Sequence, residues 1–191
     1  MALKEHLAVE ALAGYPPEIG RWLWALEDTR RQTKDCLEGI QPTVMDWVAH
    51  EGGNSIGTLL FHLVAIEMDW LYTEVLEEKD FPPQVEALLP YDVRDGQGQL
   101  MAVRGIRLEE HLRRLEATRA IFLDAFRPLT TGEFRRLRSF EAYEVTPEWV
   151  LHHLIQHEAE HRGQIGELRA SAEQALHINQ SRSDGATKKE L

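Results

Sequence analysis

The sequence has 191 residues, of which 43% are hydrophobic and 28% are charged, and its formal net charge is −11. This acidic balance excludes the clustered basic surface that nucleic-acid binding needs, and the single cysteine, Cys36, excludes an internal disulfide or a zinc site built from thiolates. Because the N-terminus lacks a signal-peptide pattern and no apolar run reaches the roughly 18 residues of a membrane span, we expect a cytoplasmic protein with no membrane partner.

Hydrophobic periodicity predicts an all-α protein with four long helices and almost no alternating strand pattern. The first helix should begin after a pair of prolines at positions 16 and 17 and reach about Cys36. The second should run from Ile56 to about Glu78. Residues 80–105 show no periodicity and have the length of a bundle crossover, which predicts a long connection between the second and third helices.

The third and fourth helices are predicted in the second half of the chain. The third should cover Leu108–Phe126, with charged residues such as Arg114 and Arg119 facing water. The fourth has the clearest start signal, because Thr146 is a good N-cap and a proline follows at the first helical position. It should cover about residues 147–175.

The domain organisation follows from this pattern of helices. Residues 1–176 should form one domain, because a chain of this length can bury its own core without a disulfide or a structural metal. Residues 177–191 have too little apolar content to pack against that core. We expect them to form a mobile C-terminal tail.

Histidines concentrate on the fourth predicted helix, where four of the nine fall within ten residues. At about 100° per residue, His153 and His161 lie about 40° to either side of His157, on the apolar side of the helix. His152 falls on the opposite side and is expected in solvent. Histidines at positions i and i+4 can direct two ring nitrogens at one cation.

A third ligand should come from another helix, since catalytic zinc-type centres use three protein ligands and leave one position open. His62 is the best placed, because it lies within the second predicted helix at the edge of its apolar face. The other histidines have terminal, loop or charged surroundings and are expected at the surface: His6, His50, His111 and His177. From spacing alone, a metal site and a metal-free set of hydrogen-bonded core histidines both remain open.

Two segments of the sequence resemble the DinB-like (DinB/YfiT) superfamily. The first is GNSIGTLLFHL at residues 53–63, and the second combines TPEWVL at residues 146–151 with HEAEHRGQI at residues 157–165. The segments occur in the order and at the separation that the family requires, and the resemblance extends over roughly residues 15–176. It implies a four-helix bundle with a long crossover.

The resemblance also implies a site and a range of activities. A divalent metal, zinc or nickel, would be held by His62, His157 and His161. Family members of known activity include transferases that use low-molecular-weight thiols such as bacillithiol, a mycothiol-dependent isomerase and metal-dependent hydrolases. For this chain we expect thiol S-transfer to a small electrophile, in a homodimer that binds small molecules. The alternatives are a metal-dependent hydrolase and a non-catalytic bundle that binds a metal or a small molecule.

Three more residues of the fourth helix are candidates for orienting a ligand ring or contacting substrate: His153, Gln164 and Glu160. Glu160 also completes an H-x-x-E-H string, which is typical of inverted zinc peptidases. We reject that analogy because the DinB resemblance already accounts for the same pair of histidines. The sequence singles out no general acid or base.

Glycines and tryptophans give two packing predictions. Gly163 and Gly166 lie inside the fourth helix, where each costs roughly 1 kcal/mol relative to alanine, and a close approach of another helix would explain them. Most of the five tryptophans are expected in the core. Trp47 and Trp149 lie near helix entrances and can instead border a pocket.

Overall fold

A computed structural model describes residues 7–176 of the chain. Within that range the elements are α1 (Pro17–Asp35), α2 (Pro42–Met45), α3 (Ile56–Trp70), a π-helical turn (Leu71–Val75), α4 (Pro83–Glu86), α5 (Leu108–Phe126), α6 (Thr131–Arg135), β1 (Arg138–Ser139), β2 (Glu144–Val145) and α7 (Pro147–Ala175). The described chain is mostly helical, which confirms the predicted fold class. The predicted tail, residues 177–191, lies outside the described range.

Two of the long helices, α3 and α7, begin at a residue whose side chain accepts a hydrogen bond from a free N–H group of the first turn. Ser55 caps α3, since its hydroxyl accepts a hydrogen bond from the N–H of Thr58 at 3.1 Å. Thr146 caps α7 in the same way through the N–H of Trp149 at 3.1 Å. Helix α5 has the bounds that the periodicity predicts. The starts of α3 and α7 therefore follow from local capping residues.

The second long helix differs from the prediction because its α-helical part ends at Trp70. Residues Leu71–Val75 form a π-helical turn, and Glu77 then adopts a φ of 59°. A π turn holds more residues than an α turn, so it changes which side chains face the core. Glu74 becomes 95% buried in this turn, with only 5% of its surface exposed.

The segments between the long helices contain short elements that the sequence analysis did not predict. Helices α2, α4 and α6 have only four or five residues each, which is too short for a periodic pattern. Strands β1 and β2 pair antiparallel, with Arg138 opposite Val145 and Ser139 opposite Glu144. This hairpin leads directly into the Thr146 cap of α7.

The apolar core lies between the long helices. Helix α1 packs against α7, and α3 packs against both α5 and α7. One cluster includes Leu23 and Leu26 of α1, Phe122 of α5 and Leu151 of α7, all 0% exposed. Because α3 and α7 are in contact, the helix that carries His62 lies against the helix that carries His157 and His161.

A buried ionic network joins the four long helices: Arg30 of α1, Glu67 of α3, Arg119 of α5 and Glu158 of α7, each at most 5% exposed. Arg30 donates to Glu158 at 2.7 Å and to Glu67 at 2.6 Å. Arg119 donates to Glu67 at 2.9 and 3.0 Å and to Glu158 at 3.2 Å. The prediction that Arg114 and Arg119 face water is wrong, because only 7% and 4% of these residues are exposed.

The predicted reason for the glycines of α7 is also wrong within the described chain. Gly163 and Gly166 are exposed, and a Cβ added at either would meet nothing within 4 Å. The close contact occurs at Gly57 of α3, where an added Cβ would lie 3.1 Å from the carbonyl oxygen of Val103 and 3.3 Å from Nε2 of His111.

Among residues 7–176, no helix has the length and apolarity that a membrane crossing would require.

Candidate metal centre

Three histidine rings converge where α3 meets α7. Nε2 of His157 lies 3.2 Å from Nε2 of His62 and 3.1 Å from Nε2 of His161. One ring nitrogen of each histidine lies within 4.8 Å of the other two. In the part of the chain that the structure describes, this is the one group of three or more histidine, cysteine, aspartate or glutamate side chains close enough to hold a metal ion.

The local sequence explains this convergence. His157 and His161 are four residues apart on α7, so their rings project from adjacent turns of one face. His62 lies in the middle of α3, which is apolar around most of its surface, and only 7% of the residue is exposed. Packing of α3 on α7 therefore directs His62 at the histidine pair instead of at solvent.

The spacing of the nitrogens fits a shared cation. Tetrahedral ligands at roughly 2.0–2.1 Å from zinc lie about 3.3 Å apart, close to the 3.1 and 3.2 Å separations found here. Hydrogen bonds between the rings explain the cluster less well. Nε2 of His157 carries either one hydrogen or one lone pair, so it cannot make a good hydrogen bond to both neighbours. One cation would satisfy all three lone pairs.

Gln164 holds one ring in the orientation that such a site needs. Its Oε1 lies 2.9 Å from Nδ1 of His161. Because an amide oxygen can only accept, this contact favours the tautomer with the hydrogen on Nδ1, which leaves the lone pair of Nε2 free. Nδ1 of His62 is buried and has no hydrogen-bond partner among the described residues. The ring of His62 is therefore positioned by packing and not by a hydrogen bond at Nδ1.

Burial keeps two of the rings neutral. It is the largest cause that lowers the pKa of His157 to about 3, with further lowering by the nearby His161, His62 and His153. It likewise lowers the pKa of His62 to about 4, with smaller contributions from His161 and Arg94. Neutral imidazole is the form that binds a metal ion, so both rings are ready to act as ligands near pH 7.

The other predicted candidates take different positions. The His153 ring lies 5.8 Å from that of His157 and stacks on Trp149 at 5.2 Å, so it borders the cluster without joining it. Glu160 is exposed and is not part of the cluster. The prediction that His111 is a surface residue is wrong, since it is 2% exposed and packs beside Gly57.

Two neighbours of the site could not be found from periodicity. Arg94 lies in the long connection, and its charge reaches His62. Glu158 follows His157 in α7 but belongs to the buried ionic network, and its partners Arg30 and Arg119 come from other helices. In the sequence, Glu158 is notable only because it directly follows the predicted ligand His157.

The fold and the site define a mostly helical protein with a three-histidine cluster between two of its long helices. The model of the DinB superfamily matches residues 25–165, which is well over half of the chain. The chain therefore belongs to the DinB superfamily. A search of curated proteins gave no match.

Proposed function

We propose that His62, His157 and His161 bind a divalent metal ion, zinc or nickel, and that the protein is an enzyme that catalyses thiol S-transfer to small electrophiles. The observation that carries the metal proposal is the approach of three ring nitrogens to 3.1 and 3.2 Å around one point. Imidazole ligands suit both zinc and nickel. Thiol transfer is among the activities that the superfamily resemblance implies.

A divalent ion at this position would supply a Lewis-acid centre that lowers the pKa of a bound thiol or water. Three neutral imidazoles add no negative charge, so the full 2+ charge would be available to an anionic sulfur or oxygen. Three protein ligands also leave a coordination position for the substrate. Among residues 7–176, no further histidine, cysteine, aspartate or glutamate joins the cluster.

The residues around the cluster would orient its rings and exclude water. Gln164 fixes the tautomer of His161 through its 2.9 Å hydrogen bond. The Glu158 ion pairs hold α7 against α1 and α5, which fixes the rotation of the helix that presents His157. The thiol would be a low-molecular-weight cosubstrate, because the only cysteine, Cys36, is not part of the cluster.

A metal-dependent hydrolase is the second candidate, since the same kind of centre can activate water. Hydrolases of this type commonly place a carboxylate beside the metal as general base. No aspartate or glutamate joins the cluster in the described part of the chain, and Glu160 is exposed. Hydrolysis at this centre would therefore depend on the metal ion itself to activate water.

The experiment that tests the metal proposal is elemental analysis of protein purified without a histidine tag. Wild type should contain one zinc or nickel ion per chain, and His157→Ala should contain almost none. His152→Ala is the matched control, because His152 is an exposed histidine on the same helix and should leave the metal content unchanged. Equal metal content in His157→Ala and wild type would refute the proposed ligands.

Activity is tested with the metal-loaded protein. Low-molecular-weight thiols should react faster with a panel of small electrophiles in the presence of wild type than in the presence of His157→Ala. A protein that binds metal but accelerates neither thiol transfer nor ester hydrolysis would be a non-catalytic member. We also propose a homodimer, which sedimentation velocity would detect as a particle of about twice the 22.0 kDa chain mass.

A further inference from the structure

A cavity of about 440 Å³ lies at the start of α7, about two helical turns before His157, and is within the usual size range of small-molecule sites. Its lining residues come from the end of α3, from β2 and the residue before it, and from the first turn of α7: Trp70, Tyr143, Glu144, Val145 and Trp149. Two of the aromatic side chains remain open to solvent, since Tyr143 is 44% exposed and Trp149 is 47% exposed. A ligand can therefore reach this aromatic surface.

The aromatic rings of the cavity are braced by His153. Its ring lies 4.6 Å from that of Trp70, and it stacks on Trp149 at 5.2 Å with an interplanar angle of 6°. The rings of Trp70 and Trp149 also contact each other, at 5.5 Å and 43°. These contacts hold the two indoles in place, so the cavity wall is formed before any ligand binds.

The one charged residue that lines the cavity in the described chain is acidic. Glu144 lines it directly, and no lysine or arginine is among its lining residues in the described chain. Behind the wall, the Tyr143 hydroxyl donates a 2.6 Å hydrogen bond to Oε1 of Glu74. Glu74 is 95% buried, and its Oε2 has no hydrogen-bond partner among the described residues. A cation in the cavity would be attracted by the carboxylate of Glu144, whereas an anion would be repelled.

We propose that the cavity bounded by Trp70, Tyr143 and Trp149 binds an organic cation of the alkylated ammonium type. Aromatic faces attract such a cation through their quadrupoles, and its alkyl groups fill apolar volume that an inorganic cation would leave empty. Glu144 adds a full negative charge at the same cavity. A neutral aromatic ligand would gain the stacking contacts but no attraction from the carboxylates.

The cavity is linked to the candidate metal centre through His153. The ring of His153 touches both indoles and lies 5.8 Å from the ring of His157. Occupancy of the cavity would therefore bear on the candidate metal centre through the contacts of this ring. A role of the cavity as a substrate subsite rests on the proposed function, whereas cation binding itself does not require the metal.

The test compares choline with 3,3-dimethyl-1-butanol, which has the same shape without the charge. Binding is measured by calorimetry on the full chain, with and without added zinc. Choline should bind saturably, and the neutral analogue should bind about tenfold more weakly or not at all. Equal binding of the two molecules, or no saturable binding of choline, would overturn the proposal.

Variants locate the binding site. Trp149→Ala should weaken choline binding about tenfold, and Glu144→Gln severalfold. Tyr91→Ala is the matched control, since Tyr91 is an aromatic residue of 38% exposure outside this cavity, and choline affinity should not change. Unchanged affinity in Trp149→Ala would contradict the assignment. His157→Ala should lose metal but keep choline binding, so failure of the metal proposal and failure of this one give different results.

Discussion

Arg30 and Glu158 form a buried ion pair between α1 and α7, with 2.7 Å between Nε and Oε1, although they are 128 positions apart in the sequence. Glu158 is the residue after His157, and it also accepts a hydrogen bond from Arg119 of α5 at 3.2 Å. The ion pairs therefore fix the rotation of α7 at the turn that presents a candidate metal ligand. Stability and site geometry are coupled at this point.

Removal of Glu158 should destabilise the protein strongly. Glu158→Ala leaves the guanidinium groups of Arg30 and Arg119 buried with fewer partners, and loss of one member of such a network costs about 3–5 kcal/mol. Urea denaturation measures the change in the free energy of unfolding. Glu160→Ala is the control, because Glu160 is exposed two residues away and should change stability by about 0.5 kcal/mol or less. Similar losses in both variants would contradict the role of the network.

Glycine-to-alanine substitutions should have opposite effects in α3 and α7. Gly57→Ala would place a Cβ 3.1 Å from a backbone oxygen, and we expect a loss of about 1–3 kcal/mol. Gly166→Ala meets open space in a helix and should stabilise by about 0.5–1 kcal/mol. Thermal or urea unfolding of the two variants tests the contrast. If Gly166→Ala were destabilised instead, α7 would have to contact another molecule at this position.

Gln164 should tune metal affinity without being a ligand. Gln164→Ala removes the 2.9 Å hydrogen bond to Nδ1 of His161, and loss of such a bond weakens metal binding about 10–100-fold. Competition with a chelator measures the dissociation constant, and the stoichiometry should stay at one ion per chain. Gln156→Ala is the control on an exposed position of the same helix. Equal dissociation constants for the two variants would remove Gln164 from the site.

The metal-free protein should lose stability as the pH falls from about 6.5 to about 4. Burial lowers the pKa of His111 and of His62 to about 4, whereas both titrate near 6.5 when unfolded. Between these values the unfolded chain takes up protons that the folded chain does not, so acidification favours unfolding. Each group contributes a slope of at most about 1.4 kcal/mol per pH unit.

His111→Gln isolates one of these contributions. The free energy of unfolding is measured for metal-free wild type and for the variant at several pH values between 7 and 4.5. The slope of the variant should be smaller than that of wild type by up to about 1.4 kcal/mol per pH unit. Parallel curves would show that His111 titrates alike in the folded and unfolded chains.

The sequence predicts the elements of the site that depend on one helix. The i, i+4 relation of His157 and His161 is a property of α7 alone, and the place of His62 on an apolar face is a property of α3 alone. The convergence of His62 with His157 and His161 follows from the packing of α3 against α7. The DinB resemblance carries that information, which periodicity does not contain.

The features that were missed depend on pairs of helices or on departures from helical geometry. The pattern of α5 predicts that Arg119 faces solvent, whereas in the structure it is buried and donates to Glu67 and Glu158. The charged surroundings of His111 in the sequence predict exposure, whereas in the structure α3 lies against it at Gly57. The π-helical turn at Leu71–Val75 buries Glu74 beside the hairpin. No local residue pattern predicts this turn. Such long-range contacts determine the burial and the pKa of these side chains, but they produce no periodic pattern in the sequence.

X-ray absorption spectroscopy of the protein loaded with one equivalent of zinc tests the central claim most directly. The account predicts three imidazole nitrogens at about 2.0–2.1 Å and one further light-atom ligand from solvent or substrate. Removal of any one of the three histidines should reduce the imidazole contribution. A spectrum of hydrated zinc, or a shell with carboxylate or sulfur ligands from the chain, would contradict a metal centre formed by His62, His157 and His161.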